Sequence, residues 1–244
     1  MKSLIAIDEE VRRSPAAKRQ RGEVQDRVLE RLRSGLMIGV FVPGQTITLR
    51  RLAEMLGTSP MPVRKAIHQL TAANALEILP NRSVAVPRMS AERLKDLTRV
   101  RQAVEGLAAE LACANATSAL VRDLTAINAR LRQAIRQRNM RQSLEMNQRF
   151  HFTFYAMARS PILASLIESL WLQVGPILYI SLADSDMPWD AVEHEHLLKA
   201  IKSRRPAAAR RAIVRDIGGT TKSLLRLSTF NGQNARLGAF RIMT

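Results

Sequence analysis

Two short helical patterns separated by one glycine constrain the fold of this chain most. Residues 49–56 and 63–70 place apolar side chains three or four positions apart, the spacing of one helix face. Thr48 and Ser59 are typical N-cap residues, and Gly57 is typical of the position just after a helix end. With so few residues between them, the sequence predicts two helices joined by a tight turn.

The segments around this helix–turn–helix complete a small domain. A helical period begins at Gly22, and residues 45–47 are a short extended piece. Residues 76–79 and 84–86 flank a turn at 80–83, which predicts a two-stranded hairpin. Helix, helix, turn, helix, hairpin is the element order of a winged helix-turn-helix domain.

Everything after Ser90 has a helical pattern. The predicted helices span residues 90–114, 118–138, 140–158, 161–181, 188–203 and 206–230. Short connections between helices of this length favour an antiparallel all-α bundle of about six helices. Gly218 and Gly219 predict a kink or an early end in the last helix. The fold class is therefore mainly α: a winged helix of three helices and a two-stranded wing, then the helical bundle.

These patterns divide the chain into four parts. The predicted boundaries are a flexible basic tail at 1–20, a winged-helix DNA-binding domain at 21–88, a helical effector-binding and dimerisation domain at 89–230, and a flexible tail at 231–244.

Charge suggests a polyanionic partner. The chain carries 38 Lys and Arg against 21 Asp and Glu, a formal net charge of +17. Nucleic acid is the first partner to consider and an anionic membrane surface the second. Aromatic residues are only 4% of the chain, which disfavours a single-strand binder that stacks bases and leaves double-stranded DNA.

Cysteine and hydropathy exclude other classes. The single cysteine, Cys113, rules out an intramolecular disulfide and a Cys-rich zinc module, and its apolar surroundings predict a small core residue. No uninterrupted apolar run approaches the ~20 residues of a membrane span. The start of the chain lacks the apolar core of a signal peptide. We therefore expect a cytoplasmic protein that does not enter the membrane.

The third helix carries the predicted DNA-reading face. In a helix-turn-helix the second helix enters the major groove, and Arg64, one turn in, suits bidentate contact with guanine. Arg50 and Arg51 begin the preceding helix beside the DNA backbone, and Arg82 lies at the wing tip, suited to a minor groove. An ordinary solvated surface is the alternative. The candidate contacts are Arg50, Arg51, Ser59, Met61, Arg64, Lys65, His68 and Arg82.

Four polar residues in the bundle share the phase of apolar helix faces. His151 follows Asn147 by one turn, His194 precedes an apolar stripe, and Asp216 lies beside apolar neighbours on the last helix. Imidazole and oxygen donors that converge suit a divalent ion such as Zn²⁺, Ni²⁺ or Mn²⁺. The alternative is four unrelated polar residues, each satisfied locally.

The first 87 residues contain motifs of a known family. They are Phe41-Val-Pro-Gly-Gln45, Leu52-Ala-Glu-Met-Leu-Gly57, Ser59-Pro-Met-Pro-Val-Arg-Lys-Ala-Ile67 and Pro80-Asn-Arg-Ser83. With these, residues 24–87 resemble the winged helix of the GntR superfamily of bacterial repressors. The resemblance implies operator contacts from Arg50, Arg64, the segment 59–62 and the wing. Family members usually carry Arg, Thr and Gly where this chain has Pro60, Met61 and Ser83, so a different operator is implied.

The bundle resembles the FCD sensor domain of the FadR branch of that superfamily. The motifs are Arg101-Gln-Ala-Val-Glu105, Asn147-Gln-Arg-Phe-His151 and Glu193-His194 before Leu197-Leu-Lys-Ala-Ile201. Metal-binding members imply a ligand set of Asn147, His151, His194 and Asp216, where Asp216 replaces the usual His. The resemblance also puts Arg101 in the pocket as a clamp for an organic acid. Its alternative role is an i,i+4 pair with Glu105.

The resemblance implies how such a protein works. We expect a homodimer on a palindromic operator, acting as a repressor. Its DNA affinity would respond to a small carboxylate effector such as a hydroxy, sugar or dicarboxylic acid. Two other classes stay open: a metal-dependent hydrolase built on His151, His194 and Asp216, and a nonspecific nucleoid-type DNA-binding protein, whose binding would ignore sequence.

Overall fold

The computed structural model describes residues 15–182 and 189–227, which form two compact units. The first unit contains residues up to Gly35 together with Gly44–Pro87, and the second contains Leu36–Pro43 together with the chain from Arg88 onward. The predicted tails at 1–14 and 231–244 lie outside the described residues.

The first unit is a winged helix, as the sequence predicted. Its helices are α1 (Pro15–Met37, whose last two residues belong to the second unit), α2 (Leu49–Leu56) and α3 (Pro60–Ala72). The α1 helix begins at Pro15, so residues 15–20 of the predicted tail at 1–20 are helical. The residues between Pro15 and Gly22 are compatible with a helix but have no apolar periodicity, so the sequence pattern did not indicate this start.

Capping explains the tight turn between α2 and α3. The Thr48 side chain accepts a hydrogen bond from the Arg51 N–H (3.2 Å), and Gly57 ends α2 in the left-handed region at φ 64°. Ser59 and Pro60 then begin α3, where a proline costs no hydrogen bond. The buried stripe of α3 consists of Val63, Ala66, Ile67 and Leu70, as predicted.

The predicted two-stranded wing is present, and a third strand joins its sheet. Strands β2 (Glu77–Ile78) and β3 (Val84–Ala85) form the expected antiparallel hairpin. Strand β1 (Thr46–Ile47) pairs with the other edge of β3, with Thr46 opposite Ala85 and Ile47 opposite Val84. The extended segment 45–47 thus closes the sheet in the order β1-β3-β2.

The second unit is the predicted helical bundle. Its six helices within the described residues are α4 (Ala91–Ala114), α5 (Ser118–Arg136), α6 (Met140–Tyr155), α7 (Pro161–Ser181), α8 (Val192–Lys202) and α9 (Pro206–Arg226). A single 3₁₀ turn, Ala156–Ala158, follows α6. The α4 helix packs mainly against α9 and also against α7, while α5 packs against α6. Cys113 is buried in this core, as expected.

Two helix ends differ from the expected ones. The α9 helix runs through Gly218 and Gly219 to Arg226, so the early end is wrong. Gly219 stays helical because the buried residues on either side, Ile217 and Leu224, anchor that stretch of the helix. The α8 helix starts at Val192, after Ala191 in the left-handed region at φ 58°.

The α7 helix is the most apolar element of the bundle. It is the one described helix that is both long enough and apolar enough to cross a membrane, although Glu168 interrupts it. Half of its apolar window is buried inside the bundle, as in the core helix of a water-soluble domain. Its apolar face is therefore explained by packing within the bundle.

A close backbone approach inside the second unit occurs at Gly175 of α7. A Cβ placed there would lie 2.5 Å from the Met37 Cα and closer still to the Leu36 carbonyl oxygen. Gly39, at φ 70°, packs on the same helix, where its added Cβ would lie 3.4 Å from the Gly175 carbonyl oxygen. Residues 36–43 are therefore part of the bundle core rather than of the winged helix.

The contact predicts that Gly175→Ala destabilises the bundle by about 1–3 kcal/mol, since neither helix backbone can move without losing packing. Thermal or urea unfolding of the purified variant measures the change. Gly22→Ala is the matched control, because a Cβ at Gly22 meets nothing within 4 Å. An unchanged stability for Gly175→Ala would contradict the close packing.

Candidate functional site

The candidate DNA interface lies on the exposed side of α3. Arg64, Lys65 and His68 are exposed, opposite the buried stripe, and Met61 is 59% exposed. Ser59 is exposed at the helix N-terminus, and among the described residues its hydroxyl makes no capping bond. Because Pro60 and Pro62 have no N–H, the Met61 N–H is the free backbone donor that this first turn can offer to a phosphate oxygen.

The remaining candidate contacts flank α3 within the first unit. The side chains of Arg50 and Arg51 are 89% and 67% exposed, and both pair with Glu54 on α2. Arg82 lies at the tip of the wing with φ 62°, and the Asn81 side chain accepts from the Ser83 backbone N–H (3.0 Å). All eight sequence-predicted contacts are therefore solvent-exposed.

Three of the four predicted metal ligands meet inside the bundle. The His–Asp cluster consists of His151 on α6, His194 on α8 and Asp216 on α9, with ligand atoms all within 4.8 Å of one another. The two Nε2 atoms of the histidines lie 3.1 Å apart. Asp216 Oδ2 lies 3.3 Å from His151 Nε2, and Oδ1 lies 3.9 Å from His194 Nε2.

Second partners determine which ring nitrogens of the cluster carry protons. His194 Nδ1 lies 3.1 Å from Asn128 Oδ1, an acceptor, so this nitrogen donates. His151 Nδ1 lies 3.2 Å from Tyr155 Oη, whose own proton goes to Glu105 (2.8 Å), so Nδ1 donates there too. Both Nε2 lone pairs are left facing each other and the Asp216 carboxylate. Two facing lone pairs beside a carboxylate form a donor arrangement that a metal ion would satisfy.

A buried carboxylate lies behind the cluster. Glu105 on α4 is fully buried and accepts hydrogen bonds from Arg101 Nε (2.7 Å), Tyr155 Oη (2.8 Å) and Trp171 Nε1 (3.0 Å). We call these four residues the Glu105 network. It joins α4, α6 and α7 and satisfies a charge that would be costly to bury alone.

A cavity of about 410 Å³ opens onto both groups. Its lining includes Arg101, Asn147, His151 and Asp216, so it contains the predicted clamp and three of the four predicted ligands. Arg101 makes the i,i+4 pair with Glu105 through Nε and one terminal nitrogen, and its side chain also lines the cavity, the position that the predicted clamp requires. Asn147, 9% exposed, lies one turn before His151 on the same wall.

Sequence reasoning missed part of this site. Asn128 interrupts the apolar stripe of α5 between Leu124 and Leu131, and that helical phase was a usable signal. Trp171 and Tyr155 lie on apolar faces, where an aromatic residue is ordinarily core, so no local signal showed that both reach Glu105.

The cluster changes the titration of its members. Burial lowers the pKa of His194 from its ordinary 6.5 to about 3; the Asp216 carboxylate opposes this shift and His151 adds to it. Burial raises the pKa of Asp216, but the hydrogen bond and charge of His151, with His194 and Arg101, leave its pKa lower than usual. His194 is therefore a neutral imidazole, and Asp216 is an ionised carboxylate.

The neutral His194 predicts a pH dependence of stability. Between pH 6.5 and about 3 the unfolded chain binds a proton at this residue and the folded chain does not. The free energy of unfolding in the metal-free protein therefore falls as pH falls through this window, and the contribution is intact above it. Urea unfolding in a chelator across the window measures the slope. His194→Gln flattens it relative to His196→Gln, a change at an exposed site on the same helix; equal slopes would contradict the assignment.

Comparison with known families covers both units. The family model described as "Bacterial regulatory proteins, gntR family" matches residues 24–86, and the FCD domain model matches residues 96–219. The second match alone covers more than half of the chain.

Curated relatives and solved structures agree with this match. The HTH-type transcriptional regulator McbR of Escherichia coli (strain K12) is 31% identical over 185 residues, 75% of this chain and 84% of the relative. The HTH-type transcriptional repressor RspR of the same strain is 23% identical over 85% of this chain and 92% of the relative. The solved structure of E. coli McbR/YncC has a TM-score of 0.78 at 29% identity, covering 84% of this chain and 98% of that one. Family models match most of each unit, and McbR is 31% identical over 75% of this chain. The chain therefore belongs to the GntR family of bacterial transcriptional regulators, with an FCD domain following its winged helix.

Proposed function

We propose that this protein is a repressor that binds a palindromic operator as a homodimer and releases it in response to a small carboxylate. The observation that carries the DNA-binding part is the division of α3 into a buried stripe and an exposed face with Arg64 and Lys65. Relatives described as repressors, RspR among them, support the direction of regulation. The compartment we propose is the cytoplasm, where operator DNA is accessible.

The bundle cavity is the proposed effector site. Arg101 is held by Glu105 through Nε, which fixes the guanidinium plane and leaves its other edge for a ligand carboxylate. The ring of Trp171 lies 5.3 Å from the guanidinium carbon and supports the same orientation. A carboxylate is thus the ligand group that this wall suits.

The donor set of the His–Asp cluster fits a divalent ion such as Zn²⁺, Ni²⁺ or Mn²⁺. His151, His194 and Asp216 would hold it, with Asn147 as the proposed fourth ligand. When bound, such an ion supplies a Lewis-acidic charge for an effector oxygen. Asn128 and Tyr155 keep the two Nε2 lone pairs directed at the site.

We propose a binding protein rather than a hydrolase. A metal-dependent hydrolase needs a carboxylate base beside its water, and Glu105 is already occupied by three donors. A nonspecific nucleoid-type protein would not need a polar cavity inside a bundle. Effector control requires only unequal affinity for two arrangements of the protein, and a coupling of about 1–3 kcal/mol changes operator affinity by roughly 5–150-fold.

DNA recognition is tested by gel shift with the duplex upstream of the protein's own gene, in competition with random duplex at moderate salt. We expect specific binding, and a loss of about 1–3 kcal/mol for Arg64→Ala because its base contact is removed. Arg122→Ala, an exposed change on α5 of the bundle, is the control and should bind normally. If the wild type prefers no duplex over random DNA, the repressor proposal is wrong.

Metal binding is tested by denaturing the purified protein and measuring the released ions. We expect about one divalent ion per chain, lost in His151→Ala and His194→Ala because each removes an imidazole ligand. His196→Ala is the control, since this exposed residue pairs with Glu193 outside the cluster. Equal metal content in all variants, or none in the wild type, would contradict the metal proposal.

A further inference from the structure

Both tryptophans of the chain line the same cavity. Trp171 lies on α7, and Trp189 lies on the segment that precedes α8. Trp171 is almost fully buried with the Arg101 guanidinium over its ring, so most of the indole surface that this cavity of about 410 Å³ offers a ligand comes from the half-buried Trp189.

Neither indole has a donor left for a ligand. Trp171 Nε1 donates to Glu105 (3.0 Å), and Trp189 Nε1 donates to the Ser181 hydroxyl (3.1 Å). An indole has a single N–H, so both rings offer only carbon surface to the cavity. Leu178, two turns after Trp171 on α7, and Ile217 on α9 add aliphatic surface.

The charged residues at the rim are paired within the protein. Arg215 binds Glu193 through two bonds of 2.9 Å, from Nε to Oε1 and from Nη2 to Oε2. Asp190 Oδ1 accepts from the Val192 backbone N–H (2.9 Å). Arg101 is also paired, with Glu105, but among the described charged residues of the lining it is the arginine that adjoins the His–Asp cluster, and we take this end of the cavity as the place for a ligand carboxylate.

The α9 wall leaves room for the body of a ligand. Gly219 lines the cavity one turn after Asp216, and a Cβ placed on it would meet nothing within 4 Å. Thr220 and Ser223 add two hydroxyls to the lining, which suits one or two polar substituents. A polyol would need several partners, and each hydroxyl buried without one is costly.

From these contacts we infer that the effector is an aromatic monocarboxylate, with its carboxylate at Arg101 and its ring against Trp189 and the open wall at Gly219. This rests on the proposed role of the cavity as the effector site. The inference also narrows the class of carboxylate effectors that we expect, because sugar acids and dicarboxylates lack the apolar body that this lining complements.

Calorimetric titration of the purified, metal-loaded protein with four probes tests the inference: benzoate, cyclohexanecarboxylate, gluconate and succinate. We expect benzoate to bind tightest and to change the tryptophan fluorescence. Its preference over the saturated ring should be about two- to tenfold, because a flat ring stacks on indole. Tighter binding of gluconate or succinate, equal binding of the saturated acid, or no binding by any probe would overturn the inference.

Two variants locate the ring. Trp189→Leu should reduce the preference of benzoate over cyclohexanecarboxylate to near one while metal content is unchanged. Gly219→Leu should weaken benzoate binding by about tenfold or more, because the side chain occupies the open wall, with an unchanged or higher Tm since leucine favours the helix. Gly22→Leu, also in open space but outside the cavity lining, should bind benzoate normally. Wild-type binding by both Trp189→Leu and Gly219→Leu would overturn the assignment.

The result of these ligand-binding experiments can be distinguished from the result of the tests of the proposed function. Benzoate binding with the expected selectivity, but without any change in operator affinity, supports the ligand class and contradicts effector control. Specific operator binding together with no benzoate binding supports the regulator and overturns the ligand class.

Discussion

The buried carboxylate of Glu105 is the interaction on which the helical bundle of this protein depends. A lone carboxylate with no exposed surface would be protonated or expelled, yet here three donors from three helices surround it. The arrangement fixes the plane of Arg101, the hydroxyl of Tyr155 and the indole of Trp171. One charge thereby orients the candidate clamp, one ring of the His–Asp cluster and one wall of the cavity.

The α8 helix shows how the surface supports this interior. Its buried His194 belongs to the His–Asp cluster, while the neighbouring Glu193 pairs with Arg215 of α9 and Glu195 pairs with Arg132 of α5. Exposed ion pairs contribute little stability each. Placed on both sides of His194, they instead fix the register of a short helix, so that the imidazole meets Asn128 and Asp216 together.

Much of this architecture was predictable from sequence because capping residues and apolar periodicity are local signals. Ser90, Pro161 and Pro206 mark helix starts that the structure reproduces within one residue. Helical phase indicated that His151, His194 and Asp216 face the bundle interior, and the resemblance to the FCD domain implied that they form one ligand set. Long-range partners did not: nothing near Glu105 in sequence indicates Trp171, and nothing near Met37 indicates Gly175. Phase shows which side of a helix is buried, whereas the partner across the core depends on how the helices cross.

The position of residues 36–43 determines how the chain can be dissected. Because this segment packs on α7 at Gly175, the backbone passes between the two units three times: after Gly35, after Pro43 and after Pro87. A fragment that starts at Arg88 keeps every bundle helix but leaves the groove at Gly175 without its natural filling. Truncation at Arg88 therefore exposes apolar surface and backbone to water, and an intact second unit has to retain residues 36–43, which lie between α1 and β1 of the winged helix.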